Sequence, residues 1–173
     1  MGVAACTSSL GDVARVQGEY EQAERHYRDA IAQLRALGAR SALAVSENNL
    51  GLALLRQGRY REARDVLEAG AHKLVAIGRR SGQAWAAAVL LPCYAALGDW
   101  ATWDDTMVRA QALLEETGYI ELDIALMTEL AGEKAQAADH PERATAAYRL
   151  ALSQWRGLGR EREASAIERR LSR

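Results

Sequence analysis

Apolar side chains return at three- and four-residue steps along almost the whole chain. Between Ser41 and Ile77 the series runs Leu50, Leu54 and Leu55, then Ala63, Val66, Leu67, Leu74 and Ile77. That is the spacing of one face of an α-helix. Arg61, Glu62, Arg64, Asp65 and Glu68 fill the opposite face, so the segment must bury its apolar stripe against neighbours. No stretch sustains period-two alternation, and no strand is expected. The spacing predicts one helix over about Ser41 to Gln57 and a second over about Tyr60 to Ile77. Gly58 breaks the first and Gly78 ends the second, as glycine at a left-handed C′ position would.

The same punctuation recurs. Gly18-Glu19-Tyr20, Gly58-Arg59-Tyr60 and Gly98-Asp99-Trp100 are spaced 40 residues apart, and Gly38, Gly78 and Gly118 keep that period. A fixed period of this length marks stacked supersecondary units. Four helix-turn-helix units are expected, at about 1–38, 39–78, 79–118 and 119–159, followed by a terminal helix over 160–173. Gly118 to Gly159 is a step of 41, and the extra residue is expected near Asp139. Pro92 should kink the first helix of the third unit near residues 88–92, since its ring clashes with a carbonyl one turn back.

Within that frame, unit one reads Leu10-Gly11, Ala14, Gly18, Tyr20, Ala23, Tyr27, Ala30. Unit two reads Leu50-Gly51, Leu54, Gly58, Tyr60, Ala63, Leu67, Gly70. Unit four reads Gly132, Ala135, Asp139, Pro141, Ala144, Tyr148, Ala151. These residues resemble the tetratricopeptide repeat family. The 40-residue period exceeds the usual 34, as in the long repeats of cell-polarity adaptors and of bacterial multidomain signalling proteins. The resemblance implies an all-α fold, a right-handed α-solenoid forming a single domain over 1–173. Trp103 departs from it, standing where Ala23, Ala63 and Ala144 stand in the other units.

The resemblance also implies that the first helix of each unit lines a concave groove. Carried over position by position, the groove would include Ser8, Asp12, Arg15, Asn48, Asn49, Leu52, Leu55, Arg56, Trp85, Ala88, Pro92, Glu129 and Glu133. Asparagine carries a donor and an acceptor and suits a peptide backbone. Glu129 and Glu133, one turn apart, would favour a basic peptide unless the basic C-terminal segment pairs with them. Trp85 is the aromatic candidate; Trp100 and Trp103 are expected to be structural.

Charge and composition narrow the functional classes. Formal net charge is −1 over 173 residues, which gives no overall field for nucleic acid or an anionic membrane. Residues 104–142 hold ten acidic and two basic side chains, and residues 143–173 hold eight basic and three acidic. Cys6 and Cys93 are expected to be core thiols in a reducing compartment. His26, His72 and His140 fall in three different units, and no phosphate loop or HExxH is present. The expectation is therefore a cytoplasmic, non-enzymatic protein-interaction module without cofactor, part of a larger bacterial regulatory protein. Two alternatives are a ligand-responsive sensor with a Trp85-lined cavity and a module that self-associates through exposed terminal faces.

Overall fold

The computed structural model describes residues 2–76 and 78–172. These residues form helices α1 (Gly2–Gln17), α2 (Tyr20–Ala36), α3 (Arg40–Arg56), α4 (Tyr60–Ala76), α5 (Arg80–Leu97), α6 (Trp100–Thr117), α7 (Leu122–Ala137), α8 (Pro141–Gly157) and α9 (Glu161–Leu171). No strand occurs among them. The expected helix pairs of each repeat are all present. Ile77, the last residue of the second predicted helix, lies outside the described residues. α5 runs unbroken through Pro92.

The joints explain the regularity. Gly18, Gly38, Gly58, Gly78, Gly98 and Gly159 all have positive φ, and Asp139 takes the same conformation with φ 61°. At each of these seven joints two backbone bonds close the helix end. At the first, Gly18 N–H donates to Arg15 C=O (3.1 Å) and Glu19 N–H donates to Ala14 C=O (2.9 Å). This double closure satisfies carbonyls the helix leaves open and turns the chain within two residues.

The joint at Gly118 is different. Its N–H donates to Leu114 C=O (2.9 Å), a single closure, and residues 119–121 then connect to α7 outside any helix, with Glu121 extended. The extra residue of the 41-residue step therefore lies here and not near Asp139. Asp139 stands seven residues after Gly132, as Gly58 stands seven after Gly51, so the register beyond Gly132 is intact. Glu121 then caps α7, its carboxylate accepting from Asp123 N–H (2.8 Å) and Ile124 N–H (3.3 Å).

The chain forms two compact units, Met1–Lys73 and Leu74–Arg173. In the first, α1 packs on α2 and α2 on α3; in the second, α5 packs on α6 and α7, α7 on α8, and α8 on α9. Small residues set the approach within a pair. A Cβ on Gly11 would lie 2.6 Å from the Tyr27 ring, one on Gly51 2.6 Å from Leu67, and one on Gly132 2.5 Å from the Tyr148 ring. Each glycine admits the large side chain of the facing helix. In the third repeat these two register positions are Leu91 and Met107, both buried, so the small-against-large pairing is replaced by a branched chain and a flexible thioether.

A buried carboxylate ties repeats together in the first unit. Glu24 on α2 is 6% exposed. It accepts from Gln57 Nε2 (2.9 Å) and Arg59 Nη1 (2.7 Å) in the α3–α4 turn, and Arg28 pairs with it. Burial pushes its pKa up, but these hydrogen bonds and the two guanidinium charges outweigh burial and hold it below the ordinary glutamate value. A depressed folded pKa contributes stability that is fully present above the ordinary carboxylate range and is lost as pH falls through it. Glu24→Gln should therefore flatten the acid limb of the stability–pH curve and cost about 1–2 kcal/mol at neutral pH. Denaturant titrations at pH 7 and pH 3.5 check this; equal losses at both would contradict it.

Candidate functional site

In the first unit a short polar cluster, half-buried to buried, links α1, α2 and α3. Asp12 on α1 accepts from Asn49 Nδ2 on α3 (2.9 Å) and from the Tyr27 hydroxyl on α2 (2.8 Å). One turn earlier, the Ser8 and Ser46 hydroxyls lie 3.1 Å apart. Burial, with Asp12 beside it, raises the Tyr27 pKa, so the phenol stays neutral and donates. Asp12 and Asn49 are both half-buried. One carboxylate and one amide, fixed across neighbouring helices, leave the Asn49 carbonyl and its second amide hydrogen directed by a rigid frame.

The other first-unit candidates sit differently. Asn48 lies over Gly70 of α4, where a Cβ would come within 2.3 Å of its Oδ1. That oxygen is buried without a hydrogen-bond partner, so Asn48 is turned between helices and is not a groove residue. Leu52 is 1% exposed and belongs to the core. Six consecutive residues from Leu50 to Leu55 are buried, which a one-faced helical reading does not anticipate. Arg56 is exposed; its Nε donates to the Tyr20 hydroxyl (3.1 Å) and its guanidinium lies over that ring at 5.4 Å.

In the second unit, Glu129 and Glu133 already have a partner. Arg170 of α9 donates to Glu133 Oε1 (2.7 Å), lies 3.5 Å from Glu129 Oε1 and covers the Tyr148 ring at 5.5 Å. Glu129 also accepts from Trp155 Nε1 (3.1 Å). The basic C-terminal segment thus satisfies the acidic pair internally, the alternative to a basic peptide that the charge distribution offers. Trp85 is half-buried on α5. Trp103 is 2% exposed, and Trp100 packs edge-on against it at 6.4 Å while stacking on His140 at 4.1 Å. Both are structural.

The inserted connection at 119–121 makes a feature the sequence pattern did not reveal. The buried Gln154 amide bridges the loop, its Oε1 accepting from Glu121 N–H (3.0 Å) and its Nε2 donating to Tyr119 C=O (3.2 Å). Ile120 lies over Gly157, where a Cβ would clash at 2.8 Å. A cleft of about 410 Å³ opens between this loop, α6 and α8, with Leu114, Leu150 and Ile120 in its wall and Glu115 and Arg149 contributed by α6 and α8. Trp85 does not line it. Cys93 is buried but Cys6 is exposed, so only one of the two thiols is a core residue. Among the described residues no group of three or more His, Cys, Asp or Glu is placed to hold a metal ion, and no helix is long and apolar enough to cross a membrane.

The Gly-to-large pairings at Gly11–Tyr27 and Gly51–Leu67 decide the family of the first unit, because the sequence pattern of the tetratricopeptide repeat matches residues 3–70. Residues 3–70 match the tetratricopeptide repeat model. The match stops before the stretch where Leu91, Met107 and Trp103 replace the small-and-large pattern and where the 119–121 insertion shifts it. Helix pairs continue beyond it, from α5 to α8. The chain is similar to the crystal structure of BtubC (BKLC) from P. vanneervenii, at 17% identity, with a TM-score of 0.62 over 96% of this chain and 77% of that one. That likeness shows the helical repeat fold. A comparison with the curated proteins found no match.

Proposed function

We propose that the chain is a non-catalytic interaction module whose binding face is the polar side of α1 and α3, with an extended peptide as the ligand. Tetratricopeptide repeats generally mediate protein–protein contacts, and the Asp12–Asn49 bond carries the reading for this chain. It fixes an amide on a rigid helix face, where the amide can read a peptide backbone without paying again for side-chain ordering. Arg56 adds a stacked cation near the C-terminal end of α3. Trp85 remains a candidate contact in the second unit. A bacterial, cytoplasmic and regulatory setting belongs to the same proposal; the two free thiols suit a reducing compartment.

A displayed library of random extended peptides, selected against the whole chain, tests it. Selected peptides should lose about tenfold or more in affinity to Asn49→Ala and to Asp12→Asn, and little to Leu122→Ala on α7. Peptides that bind all three variants as tightly as the wild type would overturn the assignment of the face.

A further inference from the structure

The cleft at the 119–121 insertion has no part in the α1–α3 face, and its lining is chemically mixed. Leu114 on α6 and Leu150 on α8 are 7% and 9% exposed, and Ile120 of the loop is 38% exposed. The buried Gln154 holds the loop on both sides of Ile120, through Tyr119 C=O and Glu121 N–H. Between those two bonds the Ile120 N–H and C=O have no partner among the described residues. Glu115 lines the α6 wall and Arg149 the α8 wall. Charged residues around them are paired: Glu116 with Arg80, Arg143 with Asp104, and Arg156 with Glu168. Among the described residues the Glu115 and Arg149 side chains pair neither with each other nor with any other group. The cleft therefore offers one open carboxylate, one open guanidinium, one open backbone donor and acceptor, and an apolar surface.

We propose that this cleft is a ligand site for a zwitterionic dipeptide with apolar side chains. The ligand's ammonium meets Glu115 and its carboxylate meets Arg149. Its side chains cover Leu114, Leu150 and Ile120, and its single amide exchanges hydrogen bonds with the Ile120 backbone. A cleft of about 410 Å³ lies at the small end of ligand pockets, which suits two residues and not a partner helix. Charge selects the class. A polyanion such as a nucleotide would set like charge against Glu115, and an uncharged apolar ligand would leave both ions unmatched. An internal segment of a protein has no terminal charges to offer. The walls of the cleft all belong to the second compact unit and the Asp12–Asn49 face to the first, so this proposal and the peptide-binding one fail independently.

Amide NMR spectra of the whole chain, titrated with leucyl-leucine, leucyl-valine and valyl-leucine to about 10 mM, test it; that ceiling registers even millimolar binding. The free dipeptides should shift the Gly118 and Ile120 amides and the Gln154 side-chain amide. Acetyl-leucyl-leucine amide, which keeps the side chains and loses both charges, should bind about tenfold more weakly or worse. Glu115→Gln and Arg149→Gln should each weaken leucyl-leucine about fivefold or more; both side chains are exposed, so the fold is untouched. Glu116→Gln and Arg156→Gln, on the same helices outside the cleft, should leave binding unchanged, and so should Asn49→Ala. No shift at these amides with any of the three dipeptides overturns the proposal. Equally tight binding of the capped dipeptide overturns it too, and would make the cleft a contact for an internal protein segment.

Discussion

Trp103→Ala should destabilise the second unit by about 3–5 kcal/mol, the cost of removing a large aromatic side chain from a packed interior. Trp103 is 2% exposed and sits against Trp100, which in turn stacks on His140, so the void cannot be filled from solvent and its neighbours are tied to one another. For a chain of this size the loss corresponds to about 6–20 °C in Tm. The indole nitrogen is buried without a hydrogen-bond partner, which makes a contrast available. Trp103→Phe keeps much of the volume and removes the unsatisfied donor, so it should cost about 1 kcal/mol or less. Thermal melts of both variants check the pair. If the alanine variant melts within 2 °C of the wild type, Trp103 is not holding this interface.

The reciprocal substitution tests the same register position in the first unit. Ala63 is 0% exposed and stands where Trp103 stands one repeat later. It has no exposed side from which an indole could reach solvent, and the same helix pair approaches closely at Gly51, where a Cβ would lie 2.6 Å from Leu67. Ala63→Trp should overpack the α3–α4 pair at the upper end of the usual range, about 3 kcal/mol. Indole is thus tolerated at one copy of the position and rejected at another. The difference comes from the repeat's neighbours, since helix propensity alone would treat the two sites alike. Chemical denaturation followed by circular dichroism measures it; an unchanged midpoint would mean that the two positions are not equivalent.

The sequence made the helix pairs legible because glycine is chemically distinctive at a left-handed joint, and its 40-residue recurrence needs no knowledge of tertiary structure. Asp139 shows the limit of that signal. It adopts the glycine conformation without being glycine, and so drew the extra residue to the wrong turn. The 119–121 connection that carries the insertion has no glycine-like marker. It is held by Gln154, 33 residues away in sequence, a contact that no local pattern encodes. The candidate site was read less well for a related reason. A helical face predicts direction but not what lies opposite it, so Leu52 and Asn48 were assigned to a groove when core packing and Gly70 claim them. Asn49 stands on an accessible face because Asp12, on a different helix, holds it there. Charge alone offers the pairing of Glu129 and Glu133 with the basic C-terminal segment as an alternative, but that Arg170 makes it is set by where α9 lands.

The helices keep one register, joined through left-handed residues every 20 positions with one step of 21. Backbone chemical-shift assignment by NMR tests it most directly, because Cα and carbonyl shifts report φ and ψ residue by residue. Helical shifts are expected within each of the nine helices, with left-handed values at Gly18, Gly38, Gly58, Gly78, Gly98, Gly118, Asp139 and Gly159 and an extended value at Glu121. Helical shifts running straight through Gly58 or Gly98, or strand shifts within any of the pairs, would contradict it.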